Sequence, residues 1–287
     1  MKIVSNFAIL TALLMILSPA YAAESKSIQI KGSDTMVNLG QSWAEVFSEK
    51  HPEVSIAVTG GGSGTGISAI LAGTCDIAQS SRDIKDEEKA QAVRGGGKPI
   101  NEVTVAYDGI AVIVNPANPV AQLATAQLAD IFSRKVKNWK EVGGKDSPIL
   151  VLSRERNSGT HVFFLEHIIR HGNAKGPEEF SSSVLMMPSS QAIAEEVKTS
   201  EAAIGYVGLG YITQDHKVLA VAKDTAGPFL TPSIETVLDG TYPIARPLLF
   251  LTRGEASETI KDFIDFVLSP EGQEIVTSLD FVPLKKS

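Results

Sequence analysis

The sequence predicts an α/β fold built on a largely parallel sheet. Strand-like alternation and helix-like periodicity take turns along the chain with brief connections. Clusters of Gly, Ser and Thr stand where strand patterns hand over to helical ones. One apolar run, 103–114, is longer than a single buried strand needs, as expected if it crosses from one lobe to another.

Taken in order, Ile28 and Ile30 alternate with polar neighbours and form a first strand. Leu39, Trp43, Val46 and Phe47 share one face of a helix that ends before Pro52. Val54, Ile56 and Val58 make a second strand, and the glycine-rich residues 60–66 open a helix marked by Ile67, Ile70 and Leu71. Asp76, Ile77 and Ala78 read as a third strand. The run 103–114 is broken only by Tyr107-Asp108-Gly109 and stops at Asn115-Pro116-Ala117-Asn118-Pro119. A second α/β series follows, with helices at 128–132, 159–171 and 189–198 and strands at 149–152 and 204–207. In the helix at 159–171, Val162, Leu165 and Ile169 face inward. Residues 247–252 are a candidate return crossing. Ile260, Phe263, Ile264 and Val267 mark a closing amphipathic helix, and Pro270 starts a last short one, where proline suits the first turn. No fixed-period repeat or low-complexity segment is visible.

The 287 residues suffice for one large domain or two lobes with their own cores. With 43% hydrophobic and 21% charged residues the chain is globular. Its formal net charge of -7 disfavours nucleic acid and anionic membranes as partners, so any bound anion must be held by local donors. Lys2, the apolar run 7–17 and Ala20-Tyr21-Ala22 form a secretory signal, with cleavage expected after Ala22 or Ala23. The apolar run is short for a membrane span. A periplasmic, exported protein is therefore expected. Cys75 is the single cysteine, which excludes an internal disulfide and reads as a buried, inert thiol.

Three segments far apart in sequence lead into helices: Gly32-Ser33-Asp34-Thr35, residues 60–66, and Asn157-Ser158-Gly159-Thr160. A helix start offers unpaired N–H groups and the positive end of a dipole, and hydroxyls add donors. Three such starts that converge would cage a small tetrahedral oxyanion. Residues 60–66 do not fit a nucleotide loop, because Gly66 is followed by Ile67 rather than Lys. Nor do they fit a nucleophile elbow, because Ser63 lacks a glycine two places on. Arg154 precedes the third helix start and can fork two donors onto an oxyanion. Ser81 and Arg82 follow the third strand, at the carboxyl end where open α/β sheets place ligands. Arg82 otherwise reads as a surface salt bridge to Asp83 or Asp86. His161, His167 and His171 lack the companion glutamate of a metal helix, so no metal is expected. No nucleophile with a base stands out, and neither an enzyme nor a cofactor is expected.

Further matches accompany these segments in order: Asp76-Ile77-Ala78 with Ser80-Ser81-Arg82, Tyr107-Asp108-Gly109-Ile110-Ala111-Val112, Ser153-Arg154, and Ile204-Gly205-Tyr206-Val207-Gly208. Together they resemble the periplasmic phosphate-binding proteins of phosphate ABC uptake systems, over essentially the whole mature chain. The resemblance implies a two-lobed type II periplasmic binding fold. Each lobe is then a mostly parallel sheet flanked by helices, and two crossing strands join them. Lobe 1 is expected at 24–108 with 244–287 and lobe 2 at 109–243. The resemblance carries ligand contacts to the Thr35 hydroxyl, the Met36 N–H and Ser63 from one lobe. From the other lobe it carries Arg154, Ser158, Gly159 and Thr160. Ser33, Asp34, Ser81, Arg82 and Asp108 complete the candidate set. Where some members carry an aspartate that accepts the proton of bound phosphate, this chain has Ser81, so Asp108 or Asp34 is expected to supply the acceptor. The implied function is a monomeric receptor that delivers the phosphate ion to a membrane permease of an ABC transporter. Rival readings are a receptor for sulfate, molybdate or tungstate, and an adhesive protein that reuses the scaffold.

Overall fold

The computed structural model describes residues 26–285, so the signal segment and its cleavage position lie outside the described residues. The chain opens as β1 (Lys26–Gly32), α1 (Val37–Lys50), β2 (Val54–Thr59), α2 (Ser63–Ala72), β3 (Ile77–Ser80) and α3 (Asp86–Val93). In α1 the residues Leu39, Trp43 and Phe47 recur at helical spacing and are buried. Each contributes roughly 1.5–3 kcal/mol by leaving water. Trp43 also donates its indole N–H to the Gly272 carbonyl at 2.8 Å and packs edge-on against Phe250. The short polar helix α3 has no apolar stripe. Its first turn carries Asp86, Glu87 and Glu88, which suit the positive end of the helix dipole.

The long strand β4 (Ile100–Val114) follows, then β5 (Gln122–Ala124), α4 (Thr125–Phe132), β6 (Leu150–Arg154) and α5 (Gly159–Phe164). The helix expected over 159–171 is thus shorter, because α5 loosens into a π turn at Leu165–Ile169. The rest of the chain forms β7 (Leu185–Met187), α6 (Ser190–Thr199), β8 (Ala203–Gly208), β9 (Lys217–Val218), β10 (Ala220–Ala222), α7 (Ile234–Leu238), β11 (Ala245–Arg253), α8 (Glu258–Leu268) and α9 (Pro270–Ser278).

One sheet runs β2-β1-β3-β11-β4-β8-β6-β7, with β9 on β4, and β5 pairs with β10 apart from it. Neighbours β1/β2, β1/β3, β6/β8 and β6/β7 are parallel. The expected parallel pairing holds among β1, β2 and β3 and among β6, β7 and β8, and the joined sheet adds two antiparallel strands. Both β11 and β4 run against their neighbours, so the sheet is mixed. The reason is that the long strands return through the middle of the molecule rather than closing a βαβ unit.

β4 belongs to both halves. It pairs with β11 up to Gly109 and with β8 from Ile110 onward. One apolar core gathers Phe132, Trp139, Phe164 and Tyr206 on the β6 and β8 side. Another gathers Trp43, Phe47, Phe250 and Phe263 on the β1 side. The parallel strands β1, β2, β3 and β6 point their carboxyl ends at the gap between these cores, and the candidate residues follow directly on those ends.

Candidate functional site

Sheet register brings the first residues together. Gly32 pairs with Gln79, and just beyond this pair the side chains of Ser33 and Ser81 meet. Ser33 Oγ donates to Ser81 Oγ at 2.9 Å, and Ser63 Oγ lies 3.3 Å from the same atom. The Ser81 N–H donates to Ser63 Oγ at 3.0 Å. All three serines are buried, and they form a hydroxyl chain at the end of β1, β3 and the start of α2.

The other half supplies the facing groups. Thr160 Oγ1 lies 2.9 Å from Thr35 Oγ1. Ser158 caps α5, its hydroxyl accepting the His161 N–H. Gly159 lies so close to Ser63 and Ser81 that a Cβ there would collide with the Ser63 hydroxyl. The three helix starts therefore converge, and the N–H groups of Gly159 and Thr160, in the first turn, have no acceptor within their own helix.

The two halves also grip each other beside this cluster. Asn157 Nδ2 donates to the Gly61 carbonyl at 2.8 Å, and Gly64 N–H donates to the Asn157 carbonyl at 2.9 Å. Gly62 has φ +93°, and a Cβ there would meet the Asn157 carbonyl at 2.7 Å. Glycine is required at this position both by conformation and by the approach of the opposite loop.

Arg154 is 2% exposed. Its Nη1 donates to Asp34 Oδ1 and to Ser190 Oγ, both at 2.8 Å, and Nη2 donates to the Pro188 carbonyl at 3.0 Å. Its Nε is buried and has no acceptor among the described residues. Asp34 Oδ1 also accepts the Ser190 N–H at 2.8 Å, and Tyr211 donates its hydroxyl to the Asp34 carbonyl at 2.7 Å.

Three expectations change. Arg82 does not join the cluster. Its guanidinium forks onto Glu88 at 2.9 and 2.7 Å, and it borders a separate cavity of about 330 Å³ with Phe163 and His167. Glu88, in the first turn of α3, takes the place expected for Asp83 or Asp86. Burial pushes the Glu88 carboxyl up, but Arg82 and the Lys85 N–H outweigh it and hold the group below its ordinary range. Met36 N–H donates to the Ser33 carbonyl at 3.1 Å, and its side chain lies in the core, because residues 34–36 close a 3₁₀ turn. Asp108 is not an open acceptor. Its Oδ1 accepts the Leu209 N–H at 3.0 Å, and its Oδ2 accepts Arg246 Nε and Nη2 at 3.1 and 2.8 Å.

Arg246 is a buried residue in contact with the cluster that the sequence does not single out. Its side chain and that of Asp108 are both fully buried. Nη1 donates to the Ser81 carbonyl at 2.9 Å and Nη2 to Thr35 Oγ1 at 3.4 Å. Burial pushes the Asp108 carboxyl up and the Arg246 guanidinium down, while each draws the other back toward its charged form. The one available signal was a lone arginine just before Pro247, beside the candidate return crossing.

Behind Thr160, His161 places Nδ1 3.1 Å from Ser153 Oγ and stacks on Phe180, and burial pushes its imidazole down to about 4. Among the described residues no group of His, Cys, Asp or Glu side chains is placed to hold a metal ion. Cys75 is buried, and burial with the neighbouring Asp76 charge pushes its thiol up to about 11.

Comparison with known proteins agrees with this geometry. The model of a PBP superfamily domain matches residues 18–271. The phosphate-binding protein PstS of Bacillus subtilis is 34% identical over 262 residues, spanning 91% of this chain and 81% of that protein. The chain belongs to the phosphate-binding protein family. The Pseudomonas aeruginosa member of this family, also a phosphate-binding protein PstS, is 31% identical over 277 residues, covering 91% of this chain and 84% of its own. The X-ray structure of a Clostridium perfringens protein with bound phosphate matches with TM-score 0.81 and 36% identity, over 91% of this chain and 100% of that one. An ABC-type phosphate transport receptor from Vibrio cholerae matches with TM-score 0.72 and 29% identity, over 90% and 100% of the two chains. The mixed α/β architecture described above is thus the type II binding fold of the phosphate-binding protein family.

Proposed function

We propose that this chain is a periplasmic receptor that holds inorganic phosphate between its lobes and delivers it to an ABC permease, with no chemistry on the ligand. The observation that carries the reading is Arg154, a buried guanidinium whose Nε has no acceptor among the described residues. It sits on the strand that leads into Ser158, Gly159 and Thr160, opposite Thr35 and Asp34. A buried donor left unpaired is costly, and a bound oxyanion relieves it. The names of the Bacillus and Pseudomonas relatives and the phosphate bound in the Clostridium structure support phosphate as that anion.

Residues 24–108 with 244–287 form one lobe in this reading and 109–243 the other. The change of β4 partner between Gly109 and Ile110 supports that division. The hydroxyls of Thr35, Ser63, Ser158 and Thr160, the N–H groups of Gly159 and Thr160, and Arg154 donate to the phosphate oxygens. With both Asp108 oxygens engaged, Asp34 and the Ser81 hydroxyl are the groups left to accept a phosphate proton, which sulfate lacks at neutral pH. The leader is removed after Ala22 or Ala23, and the receptor acts as a monomer that closes by a hinge.

Calorimetric titration of phosphate-stripped protein with phosphate, arsenate and sulfate tests this. Phosphate and arsenate bind and sulfate does not. Arg154→Ala lowers phosphate affinity by at least about 100-fold, as expected when several charge-assisted bonds vanish together. Sulfate binding as tight as phosphate overturns the ligand assignment, and no binding by any of the three overturns the receptor.

A further inference from the structure

Asp108 and Arg246 face each other in register on β4 and β11, at the last pairs before β4 changes partner. Holding the two strands together needs only the bonds to Asp108. Arg246 does more, because its other donors reach the Ser81 carbonyl and Thr35 Oγ1, both in the anion cluster. A hydroxyl that accepts from Nη2 keeps its own proton free to donate forward, which for Thr35 means toward Thr160 Oγ1 or a ligand oxygen. The Phe163 ring from the opposite half lies 5.8 Å from the Arg246 guanidinium carbon and closes the far side. Both side chains are fully buried, so their charges act in a poorly screened environment.

We infer that Arg246 and Asp108 form a charge-setting pair for the anion site. Arg246 orients the Thr35 hydroxyl and lends the site positive potential, and Asp108 moderates that potential. The pair touches cage residues and not the ligand, so both are positioning residues. The inference rests on the anion-receptor reading above and adds a control on affinity that the ligand contacts do not supply. A charge beside a binding site raises or lowers affinity according to its sign.

The test exploits that sign. Phosphate affinity is measured by calorimetry at one pH and salt concentration for the unaltered protein, Asp108→Asn and Arg246→Met. Removing either partner of a buried ion pair destabilises the fold, so a purely structural role predicts weaker binding in both variants. Charge setting predicts opposite signs. Asp108→Asn tightens phosphate binding by about fivefold, because Arg246 is no longer offset, and Arg246→Met weakens it by more than about 20-fold. The phosphate-induced rise in melting temperature moves the same way, larger in Asp108→Asn and smaller in Arg246→Met. Arg246→Lys covers the case in which Asp108→Asn does not fold. It keeps the charge and binds phosphate distinctly better than Arg246→Met. Weaker binding in both Asp108→Asn and Arg246→Met overturns the inference, as does equal binding by Arg246→Lys and Arg246→Met. Failure of the unaltered protein to bind any oxyanion instead overturns the receptor reading itself.

Discussion

Two buried arginine–aspartate pairs flank the anion cluster, and they differ in what they join. Arg154 and Asp34 come from opposite halves of the molecule, 2.8 Å apart, with the Asp34 side chain still 19% exposed. Arg246 and Asp108 have the same separation but sit on adjacent strands with no exposure at all. The first pair spans the two halves, so the hinge opening proposed above would part it. The second lies on two directly paired strands, and the same opening would leave it intact. Identical chemistry therefore serves as a clasp in one place and as a fixed source of potential in the other. The difference comes from which backbone segments carry the residues.

The largest expected effect separates the pairs by stability. Arg246→Ala strands a fully buried carboxylate and lowers unfolding free energy in urea by about 3–5 kcal/mol. Asp34→Ala lowers it by only about 1 kcal/mol, because Arg154 regains water when the halves part. Equal losses would erase the distinction. The second effect is pH-dependent and belongs to the Arg154 side. His161, whose imidazole is held near 4 by burial, ordinarily titrates near 6.5. Below 6.5 the unfolded chain takes up a proton that the folded protein refuses. Stability therefore falls between about pH 6.5 and 4, with no further loss from this group below that. The fall totals up to about 3 kcal/mol, and His161→Gln removes this part of the slope in denaturation series across that range. The smallest effect concerns the neutral clasp beside the charged one. Asn157→Ala weakens phosphate binding about fivefold through faster release, about 1 kcal/mol. Stopped-flow release rates for this variant, relative to the unaltered protein, change little with salt, whereas those for Asp34→Ala change with it.

Much of this arrangement was legible in the residues. Ile28 and Ile30 with polar neighbours, and Leu39, Trp43 and Phe47 at helical spacing, carry periodicities that backbone geometry imposes, so β1 and α1 followed. Ser158 before Gly159 marked a helix start because a hydroxyl there caps the exposed N–H groups. The convergence of Thr35, Ser63 and Thr160 followed from strand ends that share one direction. Pairings across long separations were not legible. Nothing local to Arg246 names Asp108, 138 residues away, and nothing near Arg82 prefers Glu88 over Asp83 or Asp86. The polar helix α3 escaped because its stabilisation lies in its first-turn carboxylates and the Arg82 contact rather than in an apolar stripe. The antiparallel course of β11 escaped because the direction of a strand leaves no mark on its composition.

The unbroken passage of β4 through both halves sets a limit on dissection of this receptor. A chain severed at Gly109 would keep Ile110–Val114 with β8 but separate β11 from its partners at Ile100–Gly109 of β4 and from β3. Neither piece would carry its own sheet complete. The two halves are woven through shared strands rather than joined like beads on a string.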